Sequence, residues 1–203
     1  MLDLVLVSWV KLSGVLIFLA SAQFLIGMLV AESLYPGYSV SQNYISDLGA
    51  TCRAACTIVQ PSSTIFDSSV FVLGALLVAS SYFFRKGSGT LFAPIFLGIA
   101  GMGAMGVGLF PETTGTLHEI VSLMAFAGGG LTAVSSFRLI RAPLSFFALV
   151  LGSLTLIALV MYADGVYLGL GPGGMERIIA FPVLIWGTGF GAYLSAGTEK
   201  SPP

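Results

Sequence analysis

Charged residues are scarce in this chain. Only 8% of its 203 residues are Asp, Glu, Lys or Arg, the formal net charge is −1, and there are one histidine and two cysteines. Without a basic run the sequence predicts no nucleic-acid partner. One histidine and two cysteines, without ligand-type spacing, predict no metal site. A single histidine also disfavours haem, so we expect no cofactor.

Apolar residues are abundant instead. Hydrophobic residues make up 56% of the chain, and the mean hydropathy is +0.98. Six apolar stretches are each long enough to cross a hydrocarbon core of roughly 30 Å, which needs about 20 helical residues. The sequence predicts an all-α fold with one domain over residues 1–203, a polytopic membrane bundle of six transmembrane helices with one long outer loop. The predicted spans are residues 9–31, 65–84, 88–110, 117–140, 143–163 and 175–197.

The distribution of basic residues predicts the orientation. Six spans place both termini on one side, and cytoplasmic loops carry the excess of Lys and Arg. One side holds Lys11, Arg85, Lys86, Arg138, Arg141 and Lys200, whereas the other holds Arg53 and Arg177. We therefore expect a multi-pass protein of the plasma membrane with both termini cytoplasmic. The outer side then collects His118 and most of the acidic residues, namely Glu32, Asp47, Asp67, Glu112, Glu119, Asp164 and Glu176.

Two chemical interpretations apply to this outer side. Ser46, Asp47 and His118 supply the residue types of a nucleophile, an orienting acid and a base, and they are the candidate catalytic residues. Residues 43–49 are also rich in turn-forming side chains, so a structural turn is the alternative. The candidate binding residues are Asn43, Asp47, Glu112, His118, Glu119 and Arg177.

Several of these charges have structural explanations. Thr116 with Glu119, and Thr64 with Asp67, fit the spacing of a capping box at a helix start. Arg177 begins a helix, where the helix dipole disfavours a cation, so we expect it to pair with a carboxylate. The expected partners, in order, are Asp47, Glu112, Asp164 and Glu32.

The two cysteines lie in the long outer segment. Cys52 and Cys56 are four residues apart. An extracytoplasmic location permits a disulfide, although this separation requires a turn because a regular helix places the two residues poorly. A disulfide and two small buried thiols remain as alternatives.

Four ordered sequence blocks carry a family resemblance. They are residues 43–49 (NYISDLG), Phe66-Asp67, residues 106–112 (GVGLFPE) followed by His118, and residues 174–182 (GMERIIAFP) leading to Trp186. With these blocks the chain resembles the prokaryotic six-span membrane family called domain of unknown function 998. That resemblance implies a multi-pass membrane fold and no particular activity. The family typically has Asn at the position of Asp67.

Three classes of function remain open from the sequence. The first is a non-enzymatic protein whose outer polar site binds a small molecule, a lipid headgroup or a protein partner. The second is a membrane-embedded hydrolase or transferase that acts on a lipid at the outer interface through Ser46, Asp47 and His118. The third is a small-solute transporter, although ion-coupled transport usually needs ionisable groups deep in the bundle. Whether the chain is an enzyme is undecided, and membrane lipids are the expected surroundings.

Overall fold

A computed structural model describes residues 2–52 and 55–197, with the side chains of residues 2–8 left undescribed. Arg53 and Lys200, which enter the orientation argument, lie outside the described residues. The six helices are α1 (Leu2–Ser33), α2 (Ser62–Ser88), α3 (Phe92–Leu109), α4 (Thr116–Ser135), α5 (Leu144–Ala163) and α6 (Gly171–Ala196). Each is long and apolar enough to cross a membrane. The all-α prediction of a six-helix membrane bundle is therefore confirmed.

Helix starts differ from the expected ones because caps and turns are placed by backbone geometry. Helix α4 follows Gly115, and no side chain forms a capping hydrogen bond there, so the predicted box of Thr116 and Glu119 is wrong. Helix α2 begins at Ser62, which places Asp67 in its second turn, where the carboxylate accepts a hydrogen bond from Ser63. The predicted box at Thr64 is wrong for that reason.

The helices form a ring. Each helix packs against its neighbours in the chain, and α6 packs against α1 to close the circle. Lipid gives helices no hydrophobic drive to associate, so glycines that permit close approach supply much of the contact. A Cβ on Gly191 of α6 would lie 2.5 Å from the backbone nitrogen of Phe18 on α1, and one on Gly14 would lie 2.5 Å from that of Ser195.

Hydrogen bonds join neighbouring helices inside the ring. Ser13 of α1 and Ser80 of α2 are hydrogen-bonded at 2.8 Å. Gln23, the strongly polar side chain near the middle of α1, donates to the backbone carbonyl of Ser69 on α2 at 3.0 Å. Gln23 therefore joins α1 to α2.

One end of the ring carries residues 34–52, 55–61, 110–115 and 164–170, and we call it the loop end. Residues 34–52 and 55–61 fold back over the helices there, and Ile45, Leu48 and Ala50 are buried. A short 3₁₀-helix, Ser46–Leu48, lies in this segment. The loop therefore closes the end of the ring and places the 43–49 motif beside helix starts.

Candidate functional site

Arg177 is held by a closed set of partners at the loop end. Its Nη2 contacts Glu32 of α1 in an ion pair and donates to the Tyr38 hydroxyl at 2.7 Å. Its Nη1 donates to the backbone carbonyls of Val40 at 3.0 Å and Gly173 at 3.0 Å. We call Glu32, Tyr38 and Arg177 the arginine cluster. The predicted ion pair is confirmed, but its partner is the acid ranked last.

The choice of Glu32 follows from the loop path. The chain leaves α1 at Ser33 and turns so that Tyr38 donates its hydroxyl hydrogen to the carbonyl of Tyr44 at 2.7 Å. This turn places Glu32 and the loop carbonyls around the guanidinium. Burial raises the pKa of the Tyr38 phenol above its ordinary value, so Tyr38 stays protonated and keeps its donor.

Two of the predicted binding residues, Asn43 and Asp47, form hydrogen bonds within the 43–47 turn. Asn43 donates to Asp47 Oδ2 at 2.8 Å, and the backbone nitrogen of Tyr44 donates to the same oxygen at 2.9 Å. Asp47 is 1% exposed. These contacts are local, because the carboxylate satisfies a backbone donor and a side-chain donor three and four residues before it in the chain. The structural alternative for residues 43–49 accounts for Asn43 and Asp47.

Ser46 faces a different group. Its hydroxyl donates to Glu112 Oε1 at 2.7 Å, and the backbone nitrogen of Cys52 donates to Glu112 Oε2 at 3.3 Å. This contact brings the 43–47 segment close to the 112–118 segment. Cys52 and Cys56 form a disulfide, which answers the open question about the two thiols. Glu112 therefore joins the disulfide loop to the connection between α3 and α4.

Both ring nitrogens of His118 are occupied. Nδ1 lies 2.8 Å from the carbonyl oxygen of Phe110, and Nε2 lies 3.3 Å from the hydroxyl of Ser122. A carbonyl only accepts, so Nδ1 donates, and in the neutral ring Nε2 accepts from Ser122. These bonds leave neither nitrogen for Ser46. The structure brings Ser46 and His118 to one cavity without joining them as a nucleophile and its base.

That cavity opens at the loop end and has a volume of about 630 Å³. Three carboxylates line it, those of Glu112, Glu119 and Glu176, and no Lys or Arg is among the described lining residues. We call it the acidic cavity, and its other lining residues include Tyr44, Ser46, His118, Ser122, Phe126 and Tyr162. Asn43, Asp47 and Arg177 are not among the residues that line it. The predicted site thus divides into two neighbouring places.

Aromatic rings form one wall of the acidic cavity. Tyr44 and Tyr162 meet edge to face with centroids 6.0 Å apart. Burial raises the pKa of the Glu112 carboxyl, and the nearby Asp47 charge adds to the rise, whereas the hydrogen bond from Ser46 opposes it. Carboxylates beside aromatic faces form surroundings that attract cations.

Glu176 belongs to the site, but it is not among the candidate binding residues predicted from the sequence. It is 6% exposed and accepts a hydrogen bond from the backbone nitrogen of Ile45. Its sequence signal was its place beside Arg177 in the 174–182 block. Because adjacent helical residues point about 100° apart, Glu176 and Arg177 enter different sites.

A second cavity lies deeper inside the ring, with a volume of about 110 Å³. Its walls are mainly apolar and come from α1, α2, α3, α4 and α6, together with Ile45 and Ser46 of the loop. We call it the inner chamber. Four residues line both it and the acidic cavity, namely Ser46, Ser122, Phe126 and Glu176. The two spaces therefore adjoin.

The fold and the two adjoining cavities define a multi-pass membrane protein with a polar site at one end of its helical ring. The family model described as "Protein of unknown function (DUF998)" matches residues 18–193, and the chain belongs to that family. A comparison with curated proteins finds no match, and neither does a comparison with solved structures.

Proposed function

We propose that this protein binds the cationic group of a small molecule or lipid in the acidic cavity, as a binding protein without a chemical step. The observation that carries the proposal is the lining: three carboxylates, two tyrosines and His118, with no Lys or Arg among the described lining residues. Such a site lowers the energy of a cation through charge and through aromatic faces. An anionic group would meet like charges there.

We also propose that this cavity faces outward. Among the described residues, Lys11, Arg85, Lys86, Arg138 and Arg141 fall at the end opposite the loop end, which carries Arg177. Cytoplasmic ends carry such an excess. A reporter that is active only outside the plasma membrane, inserted at Gly89 between α2 and α3, should be inactive there. Activity at Gly89 would reverse the orientation.

Thermal stability tests the binding proposal directly. In lipid nanodiscs, millimolar ethylammonium should raise the Tm, because a ligand that binds the folded state stabilises it, whereas propionate should not. Glu176→Gln should lose the response. Asp164→Asn is the matched control, because Asp164 is an exposed acid at the same end that does not line the cavity. Equal responses to both ions, or none to ethylammonium, would refute the proposal.

One observation favours a second candidate, a lipid hydrolase or transferase. Ser46 donates to Glu112 within the acidic cavity, so a hydroxyl and a carboxylate that could accept its proton lie 2.7 Å apart. In that case a fluorophosphonate probe should label Ser46, and Glu112→Gln should abolish the labelling. Unlabelled wild-type protein would exclude this nucleophile.

A further inference from the structure

The inner chamber has a position that the proposed cation site does not explain. It borders the acidic cavity along Ser46, Ser122, Phe126 and Glu176. Trp186, at its other end, is ten residues beyond Glu176 on α6 and thus about 15 Å further along the helix. This depth is about half of a hydrocarbon core of roughly 30 Å. The polar opening and the chamber together run from the loop end to the middle of the bundle.

The chamber walls suit hydrocarbon. Phe24, Val70, Leu73, Ala104 and Leu184 are among its buried lining residues. An apolar cavity of roughly 150 Å³ in a protein stays dry and accepts an apolar molecule the size of benzene. The chamber, at about 110 Å³, belongs to the same size class and holds about six carbons of one alkyl chain. Two acyl chains side by side would not fit.

Trp186 adds a second observation. It lines the chamber and is 6% exposed, and its indole N–H has no hydrogen-bond partner among the described residues. A buried donor without a partner is uncommon in folded proteins and calls for a specific explanation. An occupant that enters the chamber and carries an acceptor atom near its end would satisfy this donor.

We propose that the ligand is a single-chain amphiphile, with a cationic head among Glu112, Glu119 and Glu176 and an alkyl chain that extends through the inner chamber and carries an acceptor atom near its end at Trp186. The inference rests on the proposed function, since the head occupies the site already assigned to a cation. It adds that the ligand has one chain and that the chain lies inside the ring of helices. Glu176 stands where head and chain meet.

The chain has only two tryptophans, so Trp186 can report on the chamber. Trp9→Phe removes the other one, which stacks on Phe83 with centroids 5.2 Å apart and lies outside both cavities. In nanodiscs, terminally brominated dodecylammonium should quench Trp186 fluorescence at least twofold more than the isomer brominated beside the amine. Bromine quenches on contact, so the difference locates the chain end.

Substitutions at two glycines test whether the chain occupies the chamber. One glycine lines the chamber, and the other lies outside it and serves as the control. A Cβ on Gly129, which lines the chamber, would come no closer than 3.5 Å to Val183, and one on Gly189, outside it, would be 4.0 Å from Leu144. Gly129→Leu should abolish the quenching and Gly189→Leu should preserve it. If Gly129→Leu does not fold, Gly129→Ala, whose methyl group makes only ordinary contacts, should reduce the quenching.

The outcomes separate the inference from the proposed function. If ethylammonium stabilises the protein but both bromine isomers quench equally, or Gly129→Leu leaves the quenching unchanged, the chain assignment is overturned and the cation site stands. If terminally brominated dodecanoate quenches as strongly as the ammonium probe, the cationic head is overturned. If neither ethylammonium nor the brominated ammonium has an effect, both proposals fail.

Discussion

Glu176 and Arg177 are neighbours in the chain, yet they belong to two regions with opposite character. The arginine cluster is closed: Nη2 of the guanidinium contacts Glu32 and Tyr38, and Nη1 donates to the carbonyls of Val40 and Gly173. The acidic cavity is open, and its carboxylates face a space of about 630 Å³. A buried charge that is held by several partners serves the fold, whereas acids around an open cavity support the proposed ligand site.

The largest expected effect comes from replacing Arg177 in the arginine cluster. Arg177→Ala leaves the Glu32 carboxylate, whose side chain is 17% exposed, without its partner. Removing one member of a buried pair costs about 3 kcal/mol or more. We expect a clear loss of Tm in detergent, measured by thermal unfolding. Arg177→Lys should lose less stability, because it keeps the charge but cannot reach Glu32, Tyr38 and the carbonyls together. An unchanged Tm for Arg177→Ala would remove the structural role.

The next effect acts on the open region. Glu176→Gln keeps an acceptor for the Ile45 backbone nitrogen but removes the ionisable carboxyl group between the two cavities. We expect cation affinity to fall about tenfold, equivalent to about 1.4 kcal/mol, without a loss of Tm. Titration of ethylammonium in nanodiscs measures the affinity. A large fall in Tm with unchanged affinity would show that Glu176, like Arg177, has a structural role and does not bind the cation.

A smaller effect concerns an acid outside both regions. Asp67 Oδ1 is buried and has no hydrogen-bond partner among the described residues, while Oδ2 accepts from Ser63 at 3.2 Å. Asp67→Asn removes a half-satisfied carboxylate from α2, and the family resemblance implies Asn at this position. We expect a gain of about 1 kcal/mol in unfolding free energy. Ser68→Ala, at an exposed neighbour, is the control. A loss of stability in Asp67→Asn would show instead that the Asp67 carboxylate stabilises the folded protein.

The smallest effect is a pH dependence in the acidic cavity. The pKa of the Glu112 carboxyl is raised in the folded protein. Protonated Glu112 therefore contributes to stability below the ordinary pKa of 4.5, and this contribution is lost as the pH rises through the folded-state pKa. The Tm of the wild type should therefore fall more over this range than that of Glu112→Gln. Cation binding should strengthen over the same range, as the carboxylate gains its charge. Parallel pH profiles for both proteins would contradict this role.

The sequence was informative where structure depends on local composition. The six spans follow from the length and apolarity of each stretch, because a helix that satisfies its own backbone is required in lipid. The glycines of α6 permit close packing, as the approach of Gly191 to Phe18 shows. The pairing of Arg177 with a carboxylate was predicted correctly, but the reason given was wrong. Helix α6 begins at Gly171, so Arg177 lies in the second turn, where the helix dipole has little effect.

Other features required the folded loop. Nothing local to Arg177 distinguishes Glu32 from Asp47, since the choice depends on how residues 34–45 turn back over the ring. The same turn commits Asp47 to Asn43 and Tyr44 and brings Ser46 to Glu112 instead of His118. The starts of α2 at Ser62 and of α4 at Thr116 also differed from the prediction. The residue types of a capping box do not determine the backbone geometry at a helix start.

The physical reason is the range of the interactions involved. Transfer of an apolar segment into lipid is decided within about 20 residues, so membrane class and helix number can be read along the chain. The inner chamber requires five helices and the loop at once, and the acidic cavity joins Ser46, Glu112, His118 and Glu176 from four separate segments. Only the closing of α6 on α1 and the folding of the loop over the ring bring these residues together.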